Sequence, residues 1–217
     1  MKQNKSYYIL GITGGAGSGK TTVVEKIKKM APVCFLHCDA IAHELMEPGG
    51  ASYDALLKEF GEDILEKDCP ESEQRRISRP NLAAIAMATE TTRRRLNEVT
   101  HPLVKQAVED KLQQLQREKF QGIAVVEAAL LIEAGYQEIC DALWYVHAPE
   151  SDRRRRMKEN RGYSEEKIEH IIAGQLSEEE FLCRADAVIE NPDGEEAKLE
   201  EQIKTHLKEQ LETVCKM

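Results

Sequence analysis

The chain has 217 residues, 41% of them hydrophobic and 32% charged, which suits one folded core with a smaller appended piece and excludes a disordered tail. A net charge of −9 argues against general affinity for nucleic acid, so any polyanionic ligand must be met by local positive charge. No apolar stretch approaches the roughly 20 residues that cross a bilayer, and the run from Tyr7 to Ile12 is too short for a signal peptide, so no membrane partner and a cytoplasmic location are expected.

In chain order, "YYILGI" reads as a short buried strand feeding a glycine-rich loop, and Thr21 to Met30 as a helix with Val23, Val24 and Ile27 inward. "APVCFLHCD" is a second apolar run ending at Asp39. A helical stretch follows from about 53 to 121, with Leu56, Leu57 and Phe60 suiting one helix and Val104, Val108, Leu112 and Leu115 another. Ile123 to Val126 makes a third strand ending at Glu127, "DALWYVHAP" a fourth and "ADAVIEN" a short fifth. Between the last two lies a charged helical stretch, Pro149 to Phe181, with Pro149 fitting a first turn and "SEEE" at Ser177 to Glu180 a capping box. The chain closes on a helix from Glu195 to Val214, striped by Leu199, Ile203, Leu207 and Leu211. Strands apolar on both faces, separated by helices, predict an α/β fold with a parallel sheet covered on both sides.

The six cysteines (Cys34, Cys38, Cys69, Cys140, Cys183, Cys215) form no CxxC pair and read as reduced thiols, with Cys34 and Cys38 as buried small hydrophobes. The six histidines show no HExxH spacing, which disfavours zinc.

Chemistry concentrates first in "GITGGAGSGKTTV". Gly14, four residues, then Gly19, Lys20 and Thr21 satisfy the phosphate-loop pattern. Glycines at 14, 15, 17 and 19, with the small Ala16 and Ser18, let successive amides face one concavity. The following helix directs its positive end there, Lys20 reaches the β- and γ-phosphates, and the Thr21 hydroxyl, followed by Thr22, suits Mg²⁺. Neither Gly15-x-Gly17 nor Gly17-x-Gly19 has the third glycine of a dinucleotide fingerprint. No guanine-reading NKxD is present, so ATP is the expected nucleotide. Asp39 and Glu127 end strands at the edge where such sheets gather their ligands. Asp39 suits either a base for an attacking hydroxyl or the cap of a helix starting near Ala40.

The loop, "CDAIAHELMEPGG", "ISRPNLA", "THPLV", "EAALLIE", "RRMKENRGYSEE" with Gln175, and "ADAVIEN" occur in this order. Together they resemble the dephospho-coenzyme A kinases across about residues 7 to 195. The resemblance implies a P-loop NTPase three-layer fold with a five-stranded parallel sheet. It also implies transfer of the ATP γ-phosphate to the ribose 3′-hydroxyl of dephospho-CoA, the last step of coenzyme A synthesis, with Mg²⁺.

By the same resemblance the chain is one kinase-like domain. Its core covers about 1–52, 122–149 and 182–217, the acceptor-binding insertion about 53–121, and a lid over ATP about 150–181. Asp39 matches the proposed base, Arg79 and His101 the acceptor positions, Arg155 the ATP-contacting arginine and Asn191 a position near the nucleotide. Consecutive helical residues point about 100° apart, so Arg153 to Arg156 cannot all face one phosphate chain. The chain departs from the family at His37 (often Asp), Glu127 (Asp), Ala129 (Pro) and Glu159 (Arg), with Arg161 a substitute for the last through a one-residue insertion. Glu127 remains suited to orienting metal-bound water. Two other readings compatible with the loop are a P-loop kinase for another hydroxyl acceptor or nucleoside monophosphate, and an ATP-binding regulator without turnover.

Overall fold

The strand β1 (Tyr8–Thr13), buried at all six positions, is the middle of a five-stranded sheet in the order β2-β3-β1-β4-β5, where β2 is Val33–His37, β3 Ile123–Glu127, β4 Ala142–His147 and β5 Ala187–Glu190. The computed structural model describes residues 5–67, 74–128 and 130–214, with side chains to 210. Ala129, Cys69, Cys215 and the Leu211 side chain lie outside these. β1 runs parallel to β3 and to β4, and β4 parallel to β5. Parallel pairing forces each connection to cross over the sheet; α-helices make these crossings except between β3 and β4, where the described residues form turns and the short 3-10 helix Tyr136–Glu138. The chain forms two compact units, Met1–Leu36 with Leu115–Met217, and His37–Gln114.

The first unit buries one sheet face under α1 (Lys20–Lys28) and the long C-terminal helix Glu196–Val214. Leu10, Ile12, Ile123, Val125, Trp144, Val146 and Ile189 meet Val23, Val24 and Ile27 of α1 and Leu199, Ile203 and Leu207 of the C-terminal helix. Each fully buried Leu, Ile or Val contributes roughly 1.5–3 kcal/mol relative to exposure. On the opposite face Tyr145 stacks on Phe181 with ring centroids 4.7 Å apart. Two carboxylates pin strand starts. Asp141 accepts from the Ile9 amide and Asp186 from the Leu143 amide, each at 2.8 Å. Asp186 of "ADAVIEN" is thus a register clamp for the fourth and fifth strands.

The second unit holds α2 (Cys38–Leu45), α3 (Tyr53–Phe60), α4 (Arg79–Ala86) and most of α5 (Glu90–Arg117). Tyr53, Leu56, Ile64, Leu65, Ile77, Leu82 and Ala86 form its own apolar cluster. In the first unit, α6 (Glu150–Arg161), α7 (Glu165–Ala173) and α8 (Glu178–Leu182) connect β4 to β5. Ser177 and Glu180 make the expected capping box.

Several boundaries differ from the sequence reading. β2 stops at His37, whose extended backbone occupies the cap position, so α2 begins at Cys38 and Asp39 lies inside its first turn. Asp39 therefore neither ends the strand nor caps the helix. α1 begins at Lys20 and ends at Lys28 rather than at Thr21 and Met30. Pro149 is the cap of α6, one place before the first turn. Pro102 lies inside the 28-residue α5, which puts His101 in mid-helix. The missing Pro102 amide costs one helical bond, the one to the Glu98 carbonyl, and nearby the Thr100 hydroxyl donates to the Leu96 carbonyl at 2.8 Å. Cys38 is buried as expected, whereas Cys34 is half-buried.

Candidate active site

The loop leaving β1 bends because Gly14, Gly17 and Gly19 take φ of 145°, 79° and 91°, angles that side chains with a Cβ avoid. Space is as restrictive as torsion. A Cβ on Gly17 would lie 2.6 Å from the Arg153 carbonyl oxygen, and one on Gly15 would strike the Arg153 guanidinium. Gly19 stands at the cap of α1 with no side-chain bond to the helix end, so the helix presents its N-terminus to the loop. Among the described residues the buried Ser18 hydroxyl has no hydrogen-bond partner, while Thr21 and Thr22 are exposed at the start of α1.

Lys20 donates to the Gly14 carbonyl at 2.9 Å and stands 3.8 Å from the carboxylate of Glu127, which is buried at the end of β3. The register explains this meeting, since Glu127 pairs with Ile12 just before the loop begins. An ammonium, a glycine cradle, an unpaired buried hydroxyl and a helix N-terminus form a donor set for a polyphosphate. The Thr21 hydroxyl and the Glu127 carboxylate are the hard oxygen ligands that Mg²⁺ prefers. Among the described residues no cluster of three or more His, Cys, Asp or Glu is built to hold a metal by itself.

Asn191 lies against this loop, its Nδ2 donating to the Ser18 carbonyl at 2.7 Å. Of the four consecutive arginines, the two that reach the loop are Arg153, which donates to the Ala16 carbonyl at 3.0 Å, and Arg156, which donates to the Gly17 and Ser18 carbonyls. Arg155 is 50% exposed and pairs with Glu159 and Asp193. Those two hydrogen-bonded carboxylates raise its pKa, the Asp193 bond most. Arg161 ends α6 exposed, its guanidinium 6.0 Å from the Tyr163 ring. Gln175 accepts from Arg153 at 2.6 Å. Arg153 and Arg156 were hidden within a uniform run, and their i, i+3 spacing on one helix face was the only signal that they act together.

In the second unit, Asp39 is exposed in the first turn of α2 and His43 follows one turn later. Burial lowers the His43 pKa, Arg79 lowers it further, and Asp39 opposes them. Arg79 is exposed as the first residue of α4, behind Ser78, whose hydroxyl accepts from the Asn81 amide at 3.4 Å. His101 is half-buried, and desolvation alone lowers its pKa.

A family model described as dephospho-CoA kinase matches residues 8–197. A dephospho-CoA kinase of Moorella thermoacetica is 35% identical over 182 residues, covering 84% of this chain and 82% of the relative. A crystal structure from Thermus thermophilus aligns with a TM-score of 0.76 at 29% identity, covering 94% of this chain and 98% of that one. A dephospho-CoA kinase from Campylobacter jejuni aligns with a TM-score of 0.65 at 21% identity, covering 93% and 96%, and shows the shared fold. Among the described residues no helix is long and apolar enough to cross a membrane.

Proposed function

The chain belongs to the dephospho-CoA kinase family, a phosphotransferase of the P-loop class that phosphorylates dephospho-CoA in coenzyme A synthesis, and from that membership we propose the roles of its residues. ATP lays its phosphates in the loop from Gly14 to Thr22, with Lys20 on the β- and γ-phosphates. The acceptor is the ribose 3′-hydroxyl of dephospho-CoA. Its oxygen forms a bond to the γ-phosphorus, the bond to the β–γ bridging oxygen breaks, ADP leaves, and the hydroxyl proton passes to Asp39. Thr21 and Glu127 would hold Mg²⁺, which when bound would neutralise phosphate charge. Residues 53–121, with Arg79 and His101, form the acceptor-binding region. The stretch 150–181 is the lid, where Arg155 and Arg161 meet transferring charge when it closes. Asn191 supports the nucleotide from the end of β5. A kinase acting on ATP and dephospho-CoA belongs in the cytoplasm, and a net charge of −9 argues against a nucleic-acid partner.

The observation that carries this reading is the placement of Lys20 between the Gly14 carbonyl and the Glu127 carboxylate at the base of a glycine cradle. Purified protein supplied with ATP, Mg²⁺ and dephospho-CoA is expected to form CoA. Faster phosphorylation of shikimate, gluconate or a nucleoside monophosphate would reassign the acceptor. Binding of ATP with no turnover on any of them would favour the regulator.

A further inference from the structure

Arg153 and Arg156 stand one turn apart on α6 and grip the outside of the loop together. Arg153 Nε holds the Ala16 carbonyl at 3.0 Å, and Arg156 Nη1 holds those of Gly17 at 3.1 Å and Ser18 at 3.2 Å. Asn191 adds its bond to the Ser18 oxygen. Three successive peptide planes are thereby fixed by their oxygens. In a planar trans peptide the carbonyl and the next residue's N–H point in opposite directions, so the amides of Gly17, Ser18 and Gly19 turn away from the guanidiniums. The Ser18 amide closes a turn onto the Gly15 carbonyl at 3.1 Å.

The two arginines differ in charge balance. Arg156 is also paired with Asp193 at 2.8 Å. The second bond of Arg153 goes to the neutral amide of Gln175, and among the described residues no carboxylate forms an ion pair with it. An unbalanced guanidinium thus lies against Gly15, closer than a Cβ there would allow. Arg155, by contrast, has its charge met twice over.

We propose that Arg153 and Arg156 are positioning residues that preset the loop for a polyphosphate from outside, and that the unbalanced charge of Arg153 also raises the positive potential the loop presents. This rests on the reading of the Gly14–Thr22 loop as the phosphate site of ATP. Charge-assisted bonds set each plane before the ligand arrives, so orientation is achieved during folding and not at binding.

The test compares Arg153→Gln, Arg156→Gln and Lys20→Ala by direct titration with ATP and with adenosine, alongside thermal melts and KM values for both substrates. Loss of the charge-assisted contacts to the loop, one in Arg153→Gln and two in Arg156→Gln, predicts about tenfold weaker ATP binding in each arginine variant. Adenosine affinity and the KM for dephospho-CoA should stay within about twofold of the parent, a change worth well under the 1.4 kcal/mol of a tenfold effect. In Arg153→Gln the fall in ATP affinity from low to moderate salt should also become shallower. Unchanged ATP binding in both arginine variants, with binding lost in Lys20→Ala, would overturn the clamp and leave the phosphate site standing. Unchanged binding in Lys20→Ala as well would remove the phosphate site itself. Equal losses for ATP and adenosine, accompanied by a lower melting temperature, would reduce the arginines to fold stability and overturn the proposal.

Discussion

Lys20 and Glu127 face each other at 3.8 Å across the base of the glycine loop, an ammonium and a buried carboxylate brought together by the pairing of β1 with β3. The carboxylate offsets the lysine charge and repels any phosphate that approaches. Removing it therefore has opposite effects with and without a divalent cation. In Glu127→Gln, ATP is expected to bind a few-fold more tightly in the presence of a chelator, and Mg²⁺-supported turnover is expected to fall by about 10². Equilibrium titration with and without Mg²⁺, followed by turnover assays, measures both. Tighter binding without any loss of turnover would remove Glu127 from the metal site.

Asp39 sits in the first turn of α2, exposed and not engaged in capping. As the acceptor of a hydroxyl proton it should be indispensable to the chemical step and dispensable for ATP binding. Asp39→Asn is expected to lower kcat by about 10²–10⁴, with ATP affinity changed less than about twofold, since no contact to the nucleotide is lost. Parent-like turnover in this variant would refute the assignment.

Gly17 combines φ of 79° with a Cβ position 2.6 Å from the Arg153 backbone oxygen, an obstacle that no rotamer change relieves. Gly17→Ala should cost roughly 1–2 kcal/mol from the left-handed backbone alone, lowering the melting temperature by about 2–8 °C for a chain of this size. Relieving the collision with the Arg153 backbone must displace α6 from the loop, which should raise the KM for ATP. Gly61 takes φ of 75° over open space, so Gly61→Ala provides the control with torsional strain and no collision.

His101 is desolvated within α5, and its pKa lies below the ordinary histidine value of 6.5. The unfolded chain takes up this proton more readily than the folded one, so the contribution of neutral His101 is complete above pH 6.5 and is lost as pH falls toward the folded pKa. Melting temperatures across this window should decline on acidification, and His101→Gln should flatten the decline. An equally steep decline in the variant would place the acid sensitivity elsewhere. His43, lowered by burial and by Arg79, acts in the same direction, so the flattening is partial.

The local pattern was legible wherever a residue's neighbours in sequence are also its partners in space. Glycine spacing specifies a turn that side chains cannot follow, and the phosphate loop was readable for that reason. Apolar runs marked all five strands, because a strand covered on both faces admits few polar side chains. "SEEE" announced its own cap, since both bonds close within four residues.

Contacts across the fold were not legible. The sheet order that seats Glu127 beside Lys20 depends on which strands pair, and apolar runs alone do not specify pairing. Asp186 read as part of a motif, yet its role is to hold the Leu143 amide 43 residues away. The arginine run shows the division most clearly. Four identical side chains at successive positions carry no information about direction, and only the rotation of α6 against the loop turns Arg153 and Arg156 onto its carbonyls and Arg155 onto Asp193. Sequence determined that cationic side chains and a phosphate loop would be present; packing decided which of them meet, because helical phase relative to a neighbouring element is settled by buried contacts and not by the identity of the exposed residues.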